Sequence, residues 1–423
     1  MDTNNRQSDA KVAGSRPLDG IRVLDLTVAL AGPYCTLLLA AMGAEVIKIE
    51  SLTRGDIART NPPFFGDDGF HFEGLGEGDV SLSILNRARN KKSVTLDLKS
   101  AAGRDIFMRL ARMSDVVVEN MSDGTVERLG VGYESVRQAN PEIIYASISG
   151  LGDPSPLPGL KAMDIIVQAL SGVMDATGFA DGPPVRFGLP IGDLLAPLYA
   201  TTGILAAVIK RSAGGGGQHI KVSMLDCIAS LLPVEHFDVL SRKGLAIRSG
   251  NHMNRLSPFG VFKTRDGYVA IAATADNWVA DLFDVMERPE LKLDHRFVGR
   301  GQRALNAAAL NDAVEEWTRS LSSADITRAL YEERGVPCAR VRSVVEVLQD
   351  PHLRETGAIQ PLVDPRRGPV DAVGMGFPIS FSNAQAVLDR PAPELGSNND
   401  EIYRELLGMS EVEFDALRTR GVI

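Results

Sequence analysis

Two hydrophobic periods alternate through the first half of the chain. Short apolar, β-branched runs at 21–26, 45–50, 93–98, 115–120 and 143–148 read as strands. Between them the pattern turns helical. Ala31-Gly32-Pro33 opens a helix through Leu37–Ala40 that Gly43 stops, and 101–112 repeats its apolar positions at helical spacing. Strand and helix signals in strict alternation are the mark of βαβ units around a parallel sheet, so the fold class is α/β. The Gly- and Asp-rich stretch 64–79 reads as one long loop near a site or an interface. Four glycines at 214–217 follow a helix, with no strand before them and no GK[ST] after. They read as a helix-to-strand turn and not as a phosphate loop.

Beyond residue 240 the pattern changes. Apolar runs at 260–264 and 268–272 flank Arg265-Asp266-Gly267, a hairpin with an Asp-Gly turn. Helical patterns follow at 277–286, 310–321 and 323–333, giving a smaller α+β domain over 241–350. The string Asp364-Pro365-Arg366-Arg367-Gly368-Pro369 reads as a linker, and a last helix falls near 401–407. The organisation expected is a leader at 1–16, a large domain at 17–225, the small domain, and a C-terminal segment at 365–423.

Composition narrows the function classes. At 423 residues the chain exceeds a single core. Its 44% hydrophobic and 23% charged residues are those of a soluble globular protein, and a net charge of −9 argues against nucleic acid or an anionic membrane as partner. Cys35, Cys227 and Cys338 lie far apart, and the six histidines show no ligand spacing, so no metal is expected and a reducing cytoplasm fits. Residues 1–16 are polar, unlike a signal peptide. The longest apolar run, 194–209, falls about four residues short of a bilayer span and reads as a buried helix.

One acid stands out. Asp164 heads an otherwise apolar helical stretch, 164–172, beyond the Gly/Pro loop that follows the strand at 143–148. Capping its own helix is the common role for such a residue. A carboxylate desolvated beside backbone N–H groups can instead act as nucleophile, base or acid.

The strings Pro17-Leu18-Asp19-Gly20, Ala31-Gly32-Pro33, Met42-Gly43-Ala44-Glu45-Val46, Asn90-Lys91-Lys92-Ser93-Val94, Ser147-Ile148-Ser149-Gly150, Asp164 with Gln168-Ala169-Leu170-Ser171-Gly172, Gly335-Val336-Pro337 and Asp350-Pro351-His352-Leu353 occur in the order of a known family. In them the chain resembles the class III CoA-transferases, the superfamily of formyl-CoA and carnitine CoA-transferases and of the α-methylacyl-CoA racemases. The resemblance implies a Rossmann-like large domain built from both ends of the chain, a small middle domain, and an interlocked dimer. It implies coenzyme A as cosubstrate with no permanently bound cofactor, and acyl-CoA and carboxylic acid substrates. The partner is a second copy or a homologous subunit, in a heterodimer or heterotetramer. Asp164 matches the family's nucleophile, and Ala31, Asn120, Met121 and Arg128 match residues lining the CoA site.

The residues themselves add candidates. Arg54, Arg59, Arg89, Lys91 and Lys92 flank the early strands and are side chains of the kind phosphate recognition uses. Arg186, His252 and Arg255 are candidates for holding a substrate carboxylate. There are departures from the family too: Leu30 stands where transferases often have Gln, and Ser51 where they have Arg. The racemases place His before the matching Asp, and this chain has Met163. The expected activity is therefore CoA transfer from an acyl-CoA, with succinyl-CoA the expected donor, to a substituted succinate or another dicarboxylate through an aspartyl-CoA thioester. Racemisation, and a role as one subunit of a hetero-oligomeric transferase, are the alternatives.

Overall fold

The computed structural model describes residues 15–253 and 255–423; the leader expected at 1–16 lies, up to residue 14, outside the described residues. The chain divides into two compact units. The first comprises Met1–Ser171, Gly188–Leu231 and Asp350–Ile423, the second Gly172–Phe187 and Leu232–Gln349. The segment Gly172–Phe187, expected in the large domain, belongs with the second unit.

Six parallel strands form the sheet of the first unit: β1 (Arg22–Asp25), β2 (Glu45–Glu50), β3 (Lys91–Thr95), β4 (Val116–Glu119), β5 (Ile144–Ser149) and β6 (Gln218–Ser223). Their order is β3-β2-β1-β4-β5-β6. This is the strand order of the doubly wound nucleotide-binding folds, which reverses direction between β1 and β4. Val23, Leu24, Val46, Ile47, Val116, Val117, Ile144 and Tyr145 are all buried, as strands covered on both faces require. Helix α1 (Ala31–Ala41) is apolar on nearly every side and almost wholly buried. Helix α2 (Ala101–Arg112) buries only Gly103, Ile106, Phe107, Leu110 and Ala111, and Ser100 caps it by accepting from Gly103 N at 3.0 Å.

The C-terminal segment completes this core. Ile402, Tyr403, Phe414, Leu417, Val422 and Ile423 pack in one cluster with Leu24, Ile47, Val94 and Val117. Tyr403 Oη donates to Thr95 O at 2.8 Å. Two expectations need correction. The stretch 64–79 holds two short strands, Phe64–Gly66 and Gly69–His71, rather than one loop. The presumed linker at 364–369 is the turn between antiparallel strands Ile359–Asp364 and Gly368–Met375, because Pro and Gly punctuate a tight turn as readily as a linker.

The apolar run expected to be too short for a membrane lies in a longer helix, Ile191–Ser212, which by length and composition alone could cross one. In this unit the helix packs on α1, β5 and β6. It buries Ala196, Ala200, Ile204 and Ala207 and leaves Leu198, Tyr199 and Ile209 exposed, so only one side fits the expectation of a buried helix.

The second unit carries an antiparallel sheet of β7 (Phe259–Lys263), β8 (Tyr268–Ala272) and β9 (Cys338–Arg340), with β7 and β8 forming the expected hairpin. Helices Asp276–Val285, Ala307–Ser320 and Ser323–Thr327 cover it, over a core of Phe262, Val269, Ile271, Leu282, Phe283, Leu310, Val314 and Leu330.

Candidate active site

Asp164 is the first residue of α3 (Asp164–Ser171), reached from the end of β5 through Gly150. A Cβ at Gly150 would stand 2.1 Å from Ala162 Cβ, so glycine lets the returning chain lie against the strand end. Among the described residues, the half-buried Asp164 carboxylate bonds to no backbone N–H of its own helix. Oδ1 accepts from Gly192 N at 2.8 Å and Oδ2 from Gln168 Nε2 at 2.7 Å. Gly192 is the second residue of α4 (Ile191–Ser212), whose N-cap, Pro190, offers no side-chain bond. The acid therefore supplies the missing cap of a different helix and lies at the positive end of its dipole. A Cβ on Gly192 would come 3.1 Å from Asp164 Oδ1. The next residue, Asp193, is pushed up to about 6 by burial and then by the Asp164 charge, with Arg87 opposing.

Open α/β sheets bind ligands at the carboxyl ends of strands where the order reverses. There Asn120, just past β4, accepts from Val28 N at 2.9 Å and donates to Val28 O at 2.9 Å, clamping the loop between β1 and α1. Gly32 fits under this clamp because its missing Cβ would lie 2.3 Å from Thr27 Cβ and 3.0 Å from Asn120 Cγ. Ala31, the first residue of α1, is buried. Met121 is partly buried against the main core, and Arg128 is exposed, bonded to Thr125 Oγ1 at 2.8 Å.

Most of the cations assigned to phosphate are occupied internally. Lys91 is fully buried, paired with Asp25 at 3.0 Å and donating to Thr36 Oγ1 at 2.7 Å and Pro33 O at 2.9 Å. Burial would raise the Asp25 carboxyl, but Lys48, Lys91 and hydrogen bonds from Thr27 and Thr36 outweigh it and hold the group far below the usual carboxylate range. Lys92 bridges Glu45 and Glu401, both at 2.6 Å. Arg59 forks onto Glu50 at 2.8 and 2.7 Å. Arg89 is buried on Asn86, Gln360 and the Met375 carbonyl. These four brace the strands, α1 and the C-terminal segment, so phosphate contact is not their visible role. Arg54 alone of the five is exposed with no hydrogen bond or ion pair among the described residues.

The three substrate candidates all lie in the second unit. His252 and Arg255 line one cavity of about 760 Å³ with Glu235, Tyr331 and Cys338. Arg255 is paired with Glu235 at 3.2 Å, and burial pulls the His252 imidazole below its ordinary value. Arg186 is exposed, outside that cavity, and donates to Phe187 O at 3.0 Å. Among the described residues no group of three or more His, Cys, Asp or Glu is placed to hold a metal ion.

The family model for CoA-transferase family III matches residues 18–399. The chain belongs to that family. It is 36% identical over 410 residues to a succinyl-CoA:mesaconate CoA-transferase of Haloarcula hispanica, covering 94% of this chain and 99% of the relative. It is 34% identical to a succinyl-CoA–D-citramalate CoA-transferase of Chloroflexus aurantiacus, covering 96% and 98%. A crystal structure of a CAIB/BAIF family protein from Brucella suis superposes with a TM-score of 0.77 at 33% identity, covering 93% and 100%.

For a family III CoA-transferase, reading the sequence singled out Asp164 as the candidate carboxylate and missed what holds it. Gln168 could have been noticed, since an i+4 amide on the same helix face as a lone acid can reach it. Gly192 and Asp193, 28 and 29 positions away, carry no such local signal.

Proposed function

We propose that this enzyme moves CoA from succinyl-CoA to a dicarboxylic acid acceptor through an aspartyl-CoA thioester on Asp164. The observation that carries the reading is the Asp164 carboxylate itself, aligned by Gly192 and Gln168 at the start of α4. The donor and the acceptor class rest on the relatives named for succinyl-CoA with mesaconate or citramalate, both branched dicarboxylic acids. CoA would lie over the clamped β1–α1 loop of a Rossmann-like unit.

The chemistry needs one group that is first attacker and then leaving group. An Asp164 oxygen attacks the thioester carbonyl; the C–O bond forms, the C–S bond breaks, and CoA departs as thiolate. The thiolate attacks the aspartyl carbonyl of the mixed anhydride, releasing succinate and leaving CoA on Asp164. The acceptor carboxylate then attacks that thioester, expelling the thiolate, which takes the acceptor acyl group and frees Asp164. Racemisation needs an acid and a base about one carbon. The hydrogen-bond partners of Asp164 are an amide and a backbone N–H, and Met163 stands where the racemases place His, which weighs against that reading.

Incubation with succinyl-CoA alone should leave a hydroxylamine-trappable adduct on the peptide carrying Asp164. Asp164→Ala should keep its fold and lose exchange by several orders of magnitude, roughly as removal of a covalent nucleophile does. Substantial exchange by that variant would overturn the reading. An interlocked second copy is the expected partner, and native mass measurement separates it from an unlike homologous subunit.

A further inference from the structure

We propose that Gln168 is the positioning residue of this reaction, fixing the Asp164 carboxylate in its attacking orientation; the inference rests on the covalent role proposed for Asp164. Gln168 is a polar residue with no exposed surface, a placement that demands satisfied hydrogen bonds. Its Nε2 donates both to Asp164 Oδ2 at 2.7 Å and to Leu189 O at 3.2 Å. Both partners are acceptors, so the flipped amide would set its oxygen against two oxygens, and only one orientation is stable. The amide is thus oriented by a backbone carbonyl just before α4 and aims its second hydrogen at the nucleophile.

Gly192 N, from the first turn of α4, takes the other carboxylate oxygen at 2.8 Å. Two donors on separate elements fix the carboxylate plane, and each oxygen keeps a lone pair for reaction. Whichever oxygen bonds to the acyl carbon, the other stays in a donor's reach. When the thiolate, and later the acceptor, attacks the aspartyl carbon, a donor stays in reach of the one carbonyl oxygen that remains, the other having left with succinate. Only proline at position 192 would remove the backbone donor, and it would disturb the helix start as well, whereas the side-chain donor can be removed by itself.

The test follows wild type, Gln168→Leu and Gln168→Glu in rapid-quench incubations with succinyl-CoA, reading the adduct on the peptide bearing position 164 and steady-state exchange with mesaconate. Gln168→Leu should lower kcat roughly 10²-fold, the loss typical of a misplaced reacting group, with KM for succinyl-CoA within about threefold. Gln168→Glu has nearly the same shape. Its carboxylate repels Asp164 at pH 8, whereas its protonated form can donate to Oδ2, so its activity relative to wild type should climb as pH falls to 5.5. A structural role alone would not produce that climb. Adduct formation in Gln168→Leu at the wild-type rate, or a flat relative pH profile for Gln168→Glu, overturns the inference and leaves the Asp164 reading intact. No adduct in wild type overturns both. If Gln168→Leu does not fold, the Gln168→Glu profile decides.

Discussion

Asp193→Asn should stabilise this protein at neutral pH and do little in acid. The folded Asp193 carboxyl sits at about 6 against an ordinary 3.8, raised first by burial and second by Asp164, with Arg87 pulling it down. A carboxyl raised on folding binds its proton more tightly in the native state than in the unfolded chain. Ionising it therefore costs nothing below about pH 4, an increasing amount between about 4 and 6, and the full amount above about 6. A shift of roughly two units at about 1.4 kcal/mol per unit sets that cost near 3 kcal/mol. Asparagine carries no charge at any of these pH values, so the variant's advantage in urea denaturation should grow from near zero at pH 4 to as much as about 3 kcal/mol at pH 7.5. Because Asp164 supplies part of the shift, the gain should shrink in an Asp164→Ala background, which a double-mutant cycle measures. An advantage of equal size at pH 4.5 and pH 8, or a loss of stability at pH 8, would refute the reasoning.

Three further outcomes follow from the site. Lys91→Met removes the direct ion-pair partner of Asp25, leaving it the Lys48 charge and two hydroxyl bonds, and should cost about 3 kcal/mol in urea denaturation, the lower end of what breaking a buried ion pair does. Asn120→Ala removes both bonds to Val28, each worth about 0.5–1.5 kcal/mol, and should raise KM for succinyl-CoA several-fold with a smaller change in kcat. Arg54→Ala should raise KM for succinyl-CoA and weaken its dependence on salt, whereas Arg59→Ala should act on stability instead.

What could be read in the sequence was local. Strands β2 and β4 announce themselves because Val and Ile dominate runs that the sheet buries on both faces, and β1, β3 and β5 because shorter apolar stretches continue around them. Strand β6, Gln-His-Ile-Lys-Val-Ser, is half-exposed at the sheet edge and was implied only by the glycine turn before it. Asp164 was conspicuous because it interrupts an apolar stretch. The cations misled for a physical reason. A Lys beside a strand looks the same whether it faces a phosphate or a carboxylate supplied from afar, and Lys91 meets Asp25 across 66 positions. Glu401, the distant partner of Lys92, comes from the returning C-terminal segment, which no local pattern links to β3. The cap that Asp164 gives to α4 is likewise a tertiary fact, made 28 residues from its own helix.

That returning segment bears on how the protein is made. Val422 and Ile423 fill the same core as Leu24 and Ile47, yet about two hundred residues separate them from the last strand of the central sheet. At translation rates of about 5–20 residues per second, roughly 10–40 s pass between synthesis of β6 and of the residues that cover the sheet. Throughout that interval the apolar face around Leu96, Ile106 and Leu110 waits uncovered on the nascent chain, while the intervening small unit emerges and is free to fold first. Chaperone demand during synthesis should therefore concentrate on the first two hundred residues, and slowing translation late in the message should lower the yield of soluble enzyme more than slowing it early.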